Sequence, residues 1–171
     1  MTIWFLVAGC SGGTKEELFA EGMQQINTNK PGNAIIYFKN ALEKDQNYFD
    51  ARFQLAKAYS AIGKLDAAEK ELQKARRQRP DSKDVLIELA KVHVRTSKAD
   101  EALTEIGGYV TETCAESEIL ETAGLAHALK GNYNTSLGLL KRAITADTAR
   151  PSAVLALARV YVMSGNEHEA S

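Results

Sequence analysis

The chain has 171 residues, 21 of them Lys or Arg and 22 Asp or Glu, for a formal charge of -1. That balance creates no whole-protein field, so nucleic acid is excluded as an expected partner and any charged recognition must be local. Its two cysteines, Cys10 and Cys114, fit neither a metal-ligand spacing nor a disulfide scaffold, and no metal or cofactor is expected.

Taken from its start, the chain first shows an apolar run, Ile3 to Gly9, far short of the ~18 to 20 residues that span a bilayer as a helix. Two readings compete here. Gly9-Cys10-Ser11-Gly12-Gly13 fits the G-x-S-x-G pattern of a hydrolase nucleophile elbow, with Ser11 as nucleophile. Alternatively, Ile3 to Val7 is the hydrophobic part of an export signal, Ala8-Gly9 its small residues and Cys10 the lipid acceptor. Residues 1–9 then form a truncated or partial lipoprotein signal, because no Lys or Arg precedes the apolar run and a full signal is longer. Residues 10–14 read as a tether, and Thr14-Lys15-Glu16-Glu17 as the capped start of a helix.

From Lys15 onward the sequence repeats with a period of 34 residues. The segments 15–48, 49–82, 83–116, 117–150 and a partial 151–171 align without insertion or deletion. The eighth position is always small (Gly22, Ala56, Ala90, Gly124, Ala158), and so is the twentieth (Ala34, Ala68, Ala102, Ser136, Ala170). Small residues at these two places allow two antiparallel helices to approach closely. The twenty-fourth position carries Phe38, Leu72, Ile106 and Leu140, and the twenty-seventh Ala41, Ala75, Tyr109 and Ala143, which form the packing stripe of the second helix.

Each repeat therefore predicts a helix, a tight turn and a second helix. The turns fall near Asn29 to Gly32, Gly63-Lys64, Ser97-Lys98, Gly131-Asn132 and Gly165-Asn166, where Gly and Asn suit left-handed backbone. Gly107-Gly108 interrupts the third repeat, so its second helix is expected to end near Ile106, followed by a looser connection to Ser117 that holds Cys114 as a structural or incidental thiol. In the fifth repeat, Val154, Leu157, Val160 and Tyr161 form an apolar face that calls for a partner helix, and further repeats are expected to follow. An all-helical array leaves no sheet for a nucleophile elbow, so no catalytic residue is assigned and the weight moves from Ser11 to Cys10.

The 34-residue spacing resembles the tetratricopeptide repeat, most fully in Leu55-Ala56, Tyr59, Ala68, Leu72 and Pro80. The resemblance implies an all-α, right-handed superhelical solenoid of about four and a half helix-turn-helix hairpins, acting as a non-catalytic scaffold for protein or peptide partners. Residues Ala8 to Cys10 are similar to the lipobox of bacterial lipoproteins. That likeness implies a lipidated Cys10 as the sole membrane attachment, and a periplasm-facing place in the bacterial envelope; if residues 1–9 are not a signal remnant, the protein is cytoplasmic. With Ala34 to Ala75 and "LARVYVMSGNEHEA", the whole resembles the N-terminal part of the repeat lipoprotein of the PEP-CTERM and exopolysaccharide system. This likeness implies service in polysaccharide export or protein sorting, with adaptor roles in outer-membrane protein or pilus biogenesis as alternatives.

In proteins of this fold the first helices line the concave side, and positions 2, 5, 9, 12 and 13 face the groove. The candidate partner-binding residues are therefore Phe19, Met23, Phe53, Lys57, Ile87, Lys91, Val94, Arg95, Leu125 and Arg159. Lys57, Lys91 and Arg95 form an expected basic cluster among apolar residues, suited to an extended peptide carrying carboxylates, or to an acidic polysaccharide. Phe19, Met23 and Asp84 stand where a chaperone-type carboxylate clamp needs lysine or asparagine. Arg76, Arg77 and Arg79 are read as cations stabilising a helix C-terminus. His93 and His127 are read as packing residues with hydrogen-bonded rings.

Overall fold

The computed structural model describes residues 13–165, which form nine α-helices and no strand. The helices are α1 (Lys15–Asn27), α2 (Pro31–Lys44), α3 (Phe49–Ala61), α4 (Leu65–Gln78), α5 (Lys83–Arg95), α6 (Ala99–Ile106), α7 (Ser117–Leu129), α8 (Tyr133–Ala146) and α9 (Pro151–Met163). Odd-numbered helices open the repeats and even-numbered helices close them. Each first helix starts on the first residue of its 34-residue unit. The fold is the expected all-α solenoid.

The first helix is capped as its sequence implies: Thr14 accepts from the Glu17 amide at 3.2 Å, and the Glu17 carboxylate accepts from the Thr14 amide at 2.8 Å. Left-handed backbone recurs at the fifteenth position of every repeat, with φ of 55° at Asn29, 78° at Gly63, 60° at Ser97, 76° at Gly131 and 77° at Gly165. Glycine adopts that region freely, whereas Ser97 does so at a cost of roughly 1 kcal/mol or more.

Within each hairpin the two helices meet at the small residues. Ala34, Ala56, Ala68, Ala90, Ala102 and Ser136 are all completely buried. Gly22 has to be glycine: a Cβ there would lie 2.4 Å from the Phe38 ring, and one on Gly124 would lie 2.8 Å from Leu140. Phe38, Leu72, Ile106 and Leu140 fill the space between the helices as a buried row.

Between hairpins, α3 touches α5, α5 touches α7 and α7 touches α9, while α2, α4, α6 and α8 make no comparable contact with one another. The first helices thus lie on the inner side of the curve and the second helices splay apart on the outer side. Ion pairs tie successive elements at nearly the repeat distance: Lys98 to Glu69 at 2.7 Å, Arg76 to Glu105 at 2.7 Å, and Lys130 to Asp100.

As expected, α6 stops at Ile106; Gly107–Tyr109 makes one 3-10 turn. The connection that follows is pinned from the next repeat, where one Arg142 Nη2 donates to the carbonyls of Thr111 (2.6 Å), Glu112 (3.1 Å) and Cys114 (3.2 Å). Cys114 is a half-buried free thiol packed against the core of the third and fourth repeats.

One expectation is extended by the structure and one needs correcting. Arg76 pairs with Glu105 of the next repeat, and Arg79 stacks 3.8 Å from the Phe49 ring and lies 3.9 Å from Asp50. Arg76 and Arg77 stand in the last turn of α4 and Arg79 at its end, as expected, and Arg76 and Arg79 also link elements. His93 is buried with Nε2 3.4 Å from Glu69, and His127 is half-buried, but Nδ1 of both lacks a hydrogen-bond partner among the described residues. Their rings serve packing without the expected full hydrogen bonding. His168, Cys10 and Ser11 lie outside the described residues.

The helix-crossing argument makes a paired prediction for thermal unfolding followed by circular dichroism. Alanine is the better helix former by about 1 kcal/mol. Gly22→Ala should nevertheless lower the melting temperature, because overpacking against Phe38 costs about 1 to 3 kcal/mol. Gly138→Ala, on an open face of α8 with nothing within 4 Å, should raise it. Ser97→Gly should also stabilise, by about 1 kcal/mol, through relief of its left-handed backbone.

Candidate interaction groove

The centre of the concave side is a hollow of about 350 Å³ framed by three first helices: Phe53, Gln54 and Lys57 from α3, Asp84, Ile87 and Glu88 from α5, and Glu118 from α7. Phe53 and Ile87 supply its apolar surface. Phe53 is half-buried and stacks on Phe49 at a centroid distance of 6.1 Å. Lys57 is exposed, with its Nζ 5.5 Å from the Phe53 ring centroid.

The expected basic cluster is instead a band of alternating charge. Lys91 donates to Glu88 and to Glu118, each at 2.8 Å. Glu118 also faces Arg150 at 3.7 Å, and Arg150 bonds Glu121 at 2.5 Å. Burial pushes the Glu118 carboxyl up, but the hydrogen bond from Lys91 and the charges of Lys91, Arg150 and Lys57 outweigh it and hold the group below its ordinary range. Burial likewise pulls Lys91 down, and its bonds to Glu118 and Glu88 raise it overall. Arg95 reaches across to the preceding repeat, where Nη1 donates to the Ser60 carbonyl at 2.8 Å and hydroxyl at 2.7 Å.

Of the sequence candidates, the hollow thus gathers Phe53, Lys57 and Ile87, with Lys91 bonded to its edge. The others lie elsewhere. Phe19 and Met23 pack on the core of the first repeat, with Phe19 5.8 Å from Phe38 and 5.4 Å from Tyr48. Val94 packs against the interior of the third and fourth repeats rather than the groove, and Leu125 against that of the fourth and fifth. Arg159 is exposed at the far end beside Ala158, Val162 and Met163.

Gln54, Asp84, Glu88 and Glu118 were not among the candidates. Part of the signal was present: the second position of successive repeats reads Glu16, Asp50, Asp84, Glu118 and Ser152. An acidic second position lies against the lysine at the ninth position of the preceding repeat, as Lys91 and Glu118 show. Reading the two columns separately hides their neutralisation.

With this geometry established, the family model for the tetratricopeptide repeat matches residues 26–83. No curated protein matches the chain. Among solved structures, the solenoid is similar to MamA, residues 41 to the end, from Desulfovibrio magneticus RS-1, with a TM-score of 0.77 at 16% identity over 94% of this chain and 91% of that one. It is similar to the thermophilic tetratricopeptide protein TTC0263 of Thermus thermophilus, with a TM-score of 0.76 at 19% identity over 92% and 86%. It is also similar to YrrB, described as a tetratricopeptide protein with an unusual peptide-binding site, with a TM-score of 0.66 at 19% identity over 90% and 79%. At these identities the likeness is one of fold.

The charge band predicts an acid-sensitive groove. A carboxyl held low in the folded state contributes stability that is present above its unfolded pKa and lost as pH falls through the folded one. Urea unfolding of Glu118→Gln should show lower stability than the parent at neutral pH and a flatter loss between about pH 5 and 3. Parallel curves for the two proteins would mean that the Lys91 and Arg150 contacts contribute nothing in solution.

Proposed function

We propose that this solenoid of tetratricopeptide type is an interaction scaffold that holds an extended peptide segment of a protein partner across the hollow between α3, α5 and α7. Solenoids of this type are generally non-catalytic scaffolds. One observation carries the reading: half-buried Phe53 and the edge of buried Ile87 line one hollow together with an exposed cation, Lys57, a carboxylate, Asp84, and the Gln54 amide. An amide that donates and accepts suits a peptide main chain, and the flanking charges suit side chains of opposite sign.

This arrangement favours a peptide over an acidic polysaccharide. Lys91 is committed to two carboxylates and Arg95 to Ser60, so the described face offers a polyanion no continuous run of uncommitted cations to follow. The sequence adds a finer reading, in which Cys10 carries a lipid that tethers the scaffold to the bacterial envelope. There it would serve exopolysaccharide export or PEP-CTERM protein sorting, or another envelope assembly such as outer-membrane protein or pilus biogenesis. That part rests on the small residues before Cys10 and on the resemblance of Ala34 to Ala75.

Two measurements test these readings. Phe53→Ala with Lys57→Glu should reduce capture of a partner from an envelope extract by about tenfold or more, as expected for loss of a binding hot spot, while Lys70→Glu on exposed α4 surface should not. Equal capture by all three proteins would remove the groove from consideration. In cells, Cys10→Ser should shift the protein from the membrane fraction to the soluble fraction, and an unchanged distribution would end the lipid-anchor reading.

A further inference from the structure

Splaying of the second helices leaves openings on the convex side, and these differ from one another. Between α4 and α6 the opening is bridged by Arg76 and Glu105 at 2.7 Å. Beside α8 the corresponding space is occupied by Arg142, whose guanidinium holds the Thr111 to Cys114 connection. Between α2 and α4 no side chain of one helix bonds a side chain of the other among the described residues. A crevice of about 680 Å³ lies open there, floored by α3.

Its floor holds the most anomalous residue of the repeat array. The fourth position reads Leu18, Arg52, Leu86, Leu120 and Val154, so a charge stands in an apolar column. Arg52 is 9% exposed. Its Nη1 donates to Glu71 at 2.7 Å and its Nη2 to the Gln46 carbonyl, while Lys74 holds the other Glu71 oxygen at 2.6 Å. Arg52 Nε is buried and has no acceptor among the described residues; Gln78, which also lines the crevice, has a buried Oε1 without a donor there. A buried ion pair with an orphaned donor is a poor way to stabilise a fold, and leucine fills the same position in three other repeats.

Charge and shape define what this floor fits. Lys39, Arg52, Lys74 and Arg77 line the crevice against two carboxylates, Glu43 and Glu71. Glu71 is already bound by Arg52 and Lys74, whereas Lys39 and Arg77 make no ion pair among the described residues. Leu55 and Tyr59 supply an apolar strip beside Arg52.

We propose that the crevice between α2 and α4 is a second binding site, which takes an extended acidic peptide segment. Side chains lining the crevice shift to uncover Arg52 Nε and Gln78 Oε1, which solvent does not reach in the free chain; a main-chain carbonyl of the segment then accepts from the first and a main-chain N–H donates to the second. An apolar side chain covers Leu55 and Tyr59, and a neighbouring Asp or Glu carboxylate meets Lys39 and Arg77 at the mouth. A peptide supplies an acceptor, a donor, an apolar group and an anion at successive residues; a simple anion supplies one of the four. This site lies on the face opposite the concave groove and does not depend on the reading of that groove.

The test is titration of the whole protein into a fluorescent alternating Glu-Leu peptide, followed by anisotropy, with an alternating Lys-Leu peptide and free glutarate as competitors. The Glu-Leu peptide should bind saturably and weaken with salt, and neither competitor should displace it. Arg52→Leu should weaken binding by about tenfold or more with an unchanged or higher melting temperature, and Arg77→Glu, an exposed change that leaves the floor intact, should do the same. Lys57→Glu in the concave groove should leave it unaltered. Absence of saturable binding up to about 1 mM, or binding insensitive to Arg52→Leu and Arg77→Glu, overturns the proposal. Loss through Lys57→Glu instead assigns the peptide to the concave face, and displacement by glutarate reduces the site to one for small carboxylates; either result overturns it too.

Discussion

The close approach of two antiparallel helices at the eighth and twentieth positions is the contact on which the molecule is built. Where Gly22 faces Phe38 and Gly124 faces Leu140, an added methyl group would overlap the opposing side chain. Ala56 shares a buried cluster with Leu72, and Ala90 one with Ile106, each with one carbon more than glycine. Dispersion and burial are gained only at that spacing, since a gap of a fraction of an ångström forfeits much of the contact. The first, second and fourth hairpins therefore pair helices of the same lengths, and stacking such units builds a curved array.

Curvature then divides the surface into two chemically different faces. First helices press together, so their exposed positions interleave and opposite charges from neighbouring repeats neutralise each other, as in the run from Glu88 through Lys91, Glu118 and Arg150 to Glu121. Second helices separate, and the space between them must be bridged or left open. Arg76 and Arg142 bridge two such spaces, and the third stays open over the largely buried Arg52. The concave face thus offers a mixed-charge hollow beside Phe53, and the convex face a crevice with excess cations.

The third repeat shows how the array tolerates a defect. Gly107-Gly108 ends α6 after eight residues, and an irregular connection runs on to Ser117. Arg142, two helices further on, holds that connection by donating from one nitrogen to the carbonyls of Thr111, Glu112 and Cys114. Ser117 ties the start of the next helix to the same neighbour through a 2.8 Å bond to the Ala143 carbonyl. Long-range hydrogen bonds replace what the local sequence cannot supply.

By itself the sequence determined the helices and their order, because period, small residues and turn residues are local signals that recur at fixed spacing. The 34-residue register placed every described first-helix start and the early end of α6, and the tetratricopeptide likeness of Leu55 to Pro80 named the solenoid. It also pointed to Phe53, Lys57 and Ile87, which do share one hollow. It could not show that Lys91 is neutralised, that Val94 packs against the core, or that Arg52 lies on the floor of a crevice. Those facts belong to the tertiary structure, because charge pairing and exposure depend on which residues some 30 positions apart come within hydrogen-bonding distance, and that is set by the angle at which one hairpin stacks on the next.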